Sequence, residues 1–308
     1  MRKSHTRVRP FPPDPELIAR IFYTKFVLLL LVIITSLGLL LTRSWLSIVA
    51  PLELFAVFLA FWYSDQISMF AWGANEVSPA QAPEIHAIVD RLVEKAGIPK
   101  PKIAVSDRGI PNAFASGRNF EHSVVCVTRG LQNCINPAEM EAILSHEIAH
   151  LMHRDVAVTA FASVASVFSG LFLQASIFSA LGYHPKDTKE SRKARQSLVF
   201  LATTVYITTL LVVRVLSRYR ELAADRGGSL LTRRPAHLIS ALTKMEIANA
   251  TGTEREVLAG RMSNSLLIVP LAPRKRHRFQ DLLSTHPSLE IRVLRLKRLE
   301  TEILEGLI

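Results

Sequence analysis

The chain has 308 residues, 49 % of them hydrophobic and only 20 % charged, with a formal net charge of +11. That balance excludes a disordered tail protein, a collagen-like chain and a charge-rich coiled coil. Two cysteines, Cys126 and Cys134, are too few for a disulfide scaffold, and in a reducing cytosolic domain they carry no assigned role. From the N-terminus, a basic tail over residues 1–25 precedes the uncharged run Phe26 to Thr42, long enough to cross a membrane. Arg43 and more apolar sequence follow it instead of a small-residue cleavage site, which argues against a signal peptide. A second span runs from about Trp45 to Tyr63, and its one charge, Glu53, follows Pro51 at an interfacial position. Residues 73–155 then have globular texture. Ala82 to Ala96 places Ile85, Ile88, Val89, Leu92 and Val93 on one helical face, and Gly97 ends it. Lys102 to Ser106 and His122 to Thr128 read as strands with Pro111 to Gly117 between them. Asn136, Pro137 and Glu139 open a helix with a capping box, which runs to about Asp155 with room to continue into a third span.

That third span covers Val156 to about Tyr183, and a fourth covers Ser197 to Val213. Helix continues over Arg218 to Asp225 until Gly227-Gly228 breaks it. A helix over Ala236 to Asn249, an irregular stretch to Arg278 and an amphipathic helix over Pro287 to Leu307 complete the chain. The parts are thus a tail (1–25), a membrane hairpin (26–72), a cytosolic part (73–155), a second hairpin (156–213) and a second cytosolic part (214–308). Arg2, Lys3, Arg7, Arg9, Arg20 and Lys25 against a lone Arg43 place the N-terminus and residues 73–155 in the cytosol. The loop between spans three and four is also basic, with Lys186, Lys189, Arg192, Lys193 and Arg195, although simple counting puts it outside. The run Arg274 to Arg278 lacks aromatic interleaving and a nucleic-acid fold, so it reads as a solvated or lipid-facing patch.

His146-Glu147-Ile148-Ala149-His150 is an HExxH, and random order of this composition yields roughly 0.02 such matches. Residues four apart share a helix face, so both imidazoles reach one metal ion, and Glu147 sits beside it as a proton acceptor. A catalytic zinc site normally has a third protein ligand. Glu221 is the first candidate, with Asp225 one turn later to accept the free ring N–H of a ligand histidine. The plainer alternative makes both carboxylates partners of nearby arginines. His153 is the rival ligand, but seven residues put it about 10.5 Å along the helix from His146. A Glu221 ligand requires spans three and four to form a hairpin that returns it to the HExxH helix. His86, His122, His184 and His237 read as structural or surface residues.

PNAFASGR (Pro111 to Arg118), LSHEIAHLMHRD (Leu144 to Asp155), SRYRELAADRGG (Ser217 to Gly228) and STHPSLEIRVLRL (Ser284 to Leu296) together resemble the HtpX family of membrane zinc metalloproteases, relatives of the CAAX prenyl proteases. The resemblance covers the layout of the whole chain. It implies a multi-pass membrane protein of the zincin type, mainly α with a small β-sheet (α+β). It makes His146, His150 and Glu221 the ligands of one zinc ion per chain and Glu147 the catalytic base. Asn112 to Ser116 falls where such proteases present an edge strand to an extended substrate, although Asn112 reads equally as a turn residue after Pro111. His286 and Arg292 match the closing motif, and either is a candidate oxyanion donor, while His286 also suits a cap before the last helix. Ser288 departs from the second proline common there. The implied function is cytosolic-side hydrolysis of damaged or misfolded proteins at the cytoplasmic (inner) membrane, with the lipid bilayer and unfolded membrane proteins as partners and no nucleic acid. Two alternatives remain: a processing protease for a defined partner, and a metal-dependent scaffold with a vestigial HExxH. Proteolysis deep in the membrane fits less well, because Asn136, Pro137, Glu139 and Glu141 at the start of the HExxH helix belong in water.

Overall fold

The computed structural model describes residues 15–41, 46–182, 185, 187–251, 268 and 286–308. Most of the basic tail, Arg43, His184, Lys186 and the run Arg274 to Arg278 lie outside the described residues. Helix α1 (Pro15–Leu41) and α2 (Leu46–Trp62) come first, and α2 bends by 76° into α3 (Ser64–Trp72). Among the described residues, three helices are long and apolar enough to cross a membrane, four if the bent pair counts as one span. Phe22, Ile33, Phe55 and Phe200 stand outward on them, as lipid-facing residues do. Helix α2 fills the second span expected over about Trp45 to Tyr63, and the bend falls at its end.

A small mixed sheet follows. Its strands are β1 (Ala74–Glu76), β2 (Lys102–Ser106), β3 (Ala113–Gly117) and β4 (Ser123–Thr128), in the order β1-β2-β4-β3. Strand β2 runs parallel to β4, and both outer strands are antiparallel to their neighbours. The stretch between the two expected strands is therefore itself a strand, and it lies at an edge. Helix α4 (Pro83–Ala96) ends at Gly97 in the left-handed conformation, φ 65°, and buries Ile85, Ile88, Val89, Leu92 and Val93 as its spacing requires. These residues join Val125 and Val127 of the sheet and Ile143, Leu144 and Ile148 of α6 (Pro137–Met152) in the main core. A short α5 (Arg129–Cys134) connects β4 to α6. The second face of the sheet packs on Trp72, whose ring lies 5.7 Å from that of Phe114.

Helix α6 starts with the expected capping box: Asn136 Oδ1 accepts from Glu139 N–H at 2.9 Å and Glu139 accepts from Asn136 N–H at 2.9 Å. It does not run on into the third span. Arg154 takes left-handed geometry, φ 54°, and α7 (Asp155–Leu181) starts afresh in a new direction. Glu139 is also held by Ser240 at 2.6 Å and Lys244 at 2.8 Å from α9 (Pro235–Thr251). Burial opposes its charge, but these hydrogen bonds and that of Asn136 outweigh burial and hold the carboxyl below its ordinary value. A carboxyl depressed in the folded state stabilises above its unfolded pKa and loses that contribution as pH falls through the folded value. Glu139→Gln is thus expected to cost about 1–2 kcal/mol at neutral pH and to narrow the gap to wild type in acid. Thermal denaturation midpoints at pH 7 and pH 3.5 check this; an unchanged gap refutes it.

Helix α8 (Lys189–Thr232) has 44 residues, about 66 Å of helix against a bilayer core of about 30 Å, so one half projects beyond the membrane. It runs straight through Gly227-Gly228, which were expected to break it. The reason is packing. A Cβ on Gly228 would lie 2.7 Å from His146 N, and one on Gly227 3.1 Å from Ala149 Cβ. The glycines form a notch in α8 that admits the HExxH helix. A last helix, α10 (Leu289–Leu304), packs against α8 and α9.

Candidate active site

Four elements meet at the notch. Helix α6 supplies His146, Glu147 and His150; α8 supplies Glu221 and Asp225; the start of α7 supplies Asp155; and the residues just before α10 include His286. His146 is fully buried and Glu147 is 3 % exposed. The two Nε2 atoms of His146 and His150 lie 3.1 Å apart, with Glu221 Oε2 3.8 Å from the first and Oε1 3.6 Å from the second. One ligand atom from each of His146, His150 and Glu221 lies within 4.8 Å of the other two.

The rings are oriented from behind. His146 Nδ1 lies 3.0 Å from Asp225 Oδ1 and His150 Nδ1 lies 2.5 Å from Asp155 Oδ2. A carboxylate on each Nδ1 puts the ring proton there and leaves both Nε2 atoms as lone-pair acceptors. Two such nitrogens 3.1 Å apart with a carboxylate beside them need a shared proton or a metal cation between them. The separation suits tetrahedral zinc, whose nitrogen ligands at 2.0–2.1 Å stand about 3.3 Å apart. The residues present therefore fit a divalent metal. His153, the rival ligand, caps the end of α6 next to Gly227 and stands apart from the cluster.

Each orienting carboxylate is backed by an arginine. Arg292 Nε and Nη2 bind Asp225 at 2.8 and 2.6 Å, and Arg220 Nε lies 3.2 Å from Asp155 Oδ1. Arg292 is 2 % exposed, gives Nη1 to Ile268 O at 2.9 Å and does not line the groove. It therefore stands behind His146, bound to the carboxylate that faces the His146 ring. Asn112 is also turned away from the groove: it is fully buried, and its Oδ1 accepts from Ile268 N–H at 3.0 Å. The strand it precedes does face the groove. Ala113 to Ser116 line it, and the backbone of Ala115 hydrogen-bonds to Glu147, so the edge of β3 that pairs with no other described strand looks onto the HExxH helix. His286 also lines the groove, with Nδ1 3.3 Å from Glu221 Oε2.

Burial lifts the Glu147 carboxyl above its ordinary value against the opposing pull of His150 and His146, which favours a group that takes up and releases a proton. For His150, burial acts downward, but the Asp155 hydrogen bond and the Glu221 charge raise its conjugate acid to about 9. That is the basicity a ligand imidazole gains from a carboxylate behind it. The His150–Asp155 pair was not legible in sequence, because it lies across the helix break at Arg154 that no Gly or Pro marks, and Arg220 reaches Asp155 from a different helix.

A multi-helix membrane chain whose HExxH helix meets a glutamate from a later helix defines an integral membrane metalloprotease, and the comparisons agree. The profile of peptidase family M48 matches residues 79–300. Protease HtpX homolog 1 of Streptomyces coelicolor is 39 % identical over 298 residues, 96 % of this chain and 97 % of that protein. A protease HtpX homolog of Moorella thermoacetica is 36 % identical over 300 residues, covering 96 % and 99 %. The crystal structure of S. mikatae Ste24p shares the fold at a TM-score of 0.57 and 20 % identity, over 90 % of this chain and 67 % of that one. The chain belongs to peptidase family M48, among the HtpX-type proteases.

Proposed function

We propose that this chain is a zinc endopeptidase of the cytoplasmic membrane that cuts locally unfolded or damaged membrane proteins on the cytosolic side, as protein quality control. The observation that carries the chemistry is the pair of bare Nε2 atoms at 3.1 Å beside Glu221, with Glu147 lining the same groove. His146, His150 and Glu221 would hold one zinc ion. Bound there, zinc supplies Lewis acidity toward the scissile carbonyl and makes water nucleophilic near neutral pH. Glu147 takes the proton of the attacking water and passes it to the leaving amine. Asp225 and Asp155 keep the two ligand imidazoles in the required tautomer. The edge of β3 receives the substrate as an added strand, which binds main chain with little demand on sequence. His286, facing the groove, is placed to donate to the developing oxyanion once Glu221 is engaged by metal. Residues 73–155 and 214–308 are the cytosolic protease parts, and 26–72 and 156–213 the membrane hairpins. The basic residues Arg20 and Lys25 in the N-terminal part of α1 support this orientation.

Chelation tests the metal. Protein stripped with a chelator is expected to lose casein cleavage, and stoichiometric zinc, about one ion per chain, to restore it. Full cleavage by metal-free protein refutes the reading. A processing protease would differ in leaving casein intact while cutting one defined partner.

A further inference from the structure

The groove does not stop at the metal ligands. A continuous cavity of about 500 Å³ leads from His146, Glu147, His150 and Glu221 into the membrane part of the molecule. Its far walls are Val57 and Phe61 of α2 and Val213 and Leu216 of α8, and Thr159 and Ser163 of α7 form its floor. Helices α2 and α8 both pack against α7, so this end of the cavity is a cleft between them. Val57, Phe61, Val213 and Leu216 make those walls apolar, Thr159 and Ser163 add two hydroxyls, and all lie on helices that cross the bilayer. At the bend between α2 and α3, Ser64 is 9 % exposed and also lines the cavity. Its Oγ has no hydrogen-bond partner among the described residues, so a free hydroxyl stands in the wall beside Ser68 and Ser116, whose own hydroxyls both donate to the Ser64 carbonyl.

A substrate strand laid along β3 passes the metal ligands and must continue somewhere. In one direction it meets this cleft. We propose that the α2–α7–α8 cleft binds an apolar stretch of the substrate adjoining the scissile bond, so that the preferred cut lies where an apolar segment leaves the bilayer. The inference rests on the protease reading above and names its substrate class: polypeptide whose cleavage site abuts a membrane-embedded run, with Ser64 meeting the backbone of the extended part. Apolar side chains gain transfer free energy in the cleft, whereas a polar flank gains none.

The test uses the full-length, zinc-loaded protein in lipid nanodiscs. Three peptides share one cleavable sequence: one with a Leu-rich flank before it, one with that flank after it, and one with Gly-Ser flanks on both sides. Wild type is expected to cut one Leu-flanked peptide with kcat/KM about tenfold or more above the Gly-Ser peptide. Ser163→Trp fills the floor and Ala60→Trp, on the α2 wall, narrows the cleft from the other side; in each the ratio is expected to fall toward one. Two variants on different helices guard against one that fails to fold, and the wild-type ratio requires neither. Equal cleavage of all three peptides by wild type overturns the inference while leaving the protease reading intact, as does a preference that survives both substitutions. If wild type cuts none of the peptides and no casein, the protease reading falls and takes the inference with it.

Discussion

Glu147→Gln is expected to lower peptide-bond hydrolysis by between about 10²- and 10⁴-fold while the protein still binds one metal ion. Glutamine is close to isosteric and can still face the backbone of Ala115, so the fold around the HExxH helix should persist. What disappears is a group able to take a proton from water and return it to the leaving amine. Burial has already lifted this carboxyl, so proton transfer in both directions is easier than for a solvated glutamate. Zinc content measured beside casein cleavage separates the possible outcomes. Cleavage lost with zinc retained assigns proton transfer to Glu147. Cleavage retained removes Glu147 from the mechanism, and zinc lost in the variant makes the residue structural instead. A scaffold with a vestigial HExxH predicts no cleavage by wild type in the first place.

The parts of this site carried by local rules were readable from sequence. The HExxH, the Asn136 cap and the stop at Gly97 are written in neighbouring residues, and each takes its expected place. The parts that depend on how helices meet were not. Gly227-Gly228 has the composition of a helix terminator, but in an all-helical neighbourhood its lack of side chains lets α8 approach the backbone of His146. Arg154 starts a new helix with no sequence punctuation, and that turn is what carries Asp155 back onto His150. Arg292 and Asn112 illustrate a different limit. Both fall in pieces typical of the family, yet a motif does not say which way a side chain points. The structure turns Arg292 onto Asp225 and Asn112 onto Ile268, two anchors that tie the elements around the groove to one another.

The Asp225–Arg292 pair yields the second large effect, because one carboxylate serves two partners. Asp225 binds Arg292 through both oxygens, and its Oδ1 also faces His146 Nδ1 at 3.0 Å. Arg292→Met leaves that carboxylate, 3 % exposed, without its cation and removes the bond to Ile268 O; about 3–5 kcal/mol of stability should go with it. Asp225→Ala strands the guanidinium at similar cost and also frees His146 to change tautomer or rotate, which should weaken metal binding about 10- to 100-fold. The double variant separates these roles. With both charges gone no buried ion is stranded, so stability should return in part. Metal affinity should not return, since nothing then accepts the His146 ring proton. Denaturation midpoints of the metal-free proteins, read beside zinc competition titrations, give the two quantities independently. Recovery of both in the double variant would show that Asp225 acts on the metal only through the packing of α10 against α8. Recovery of stability alone makes it the residue that orients His146.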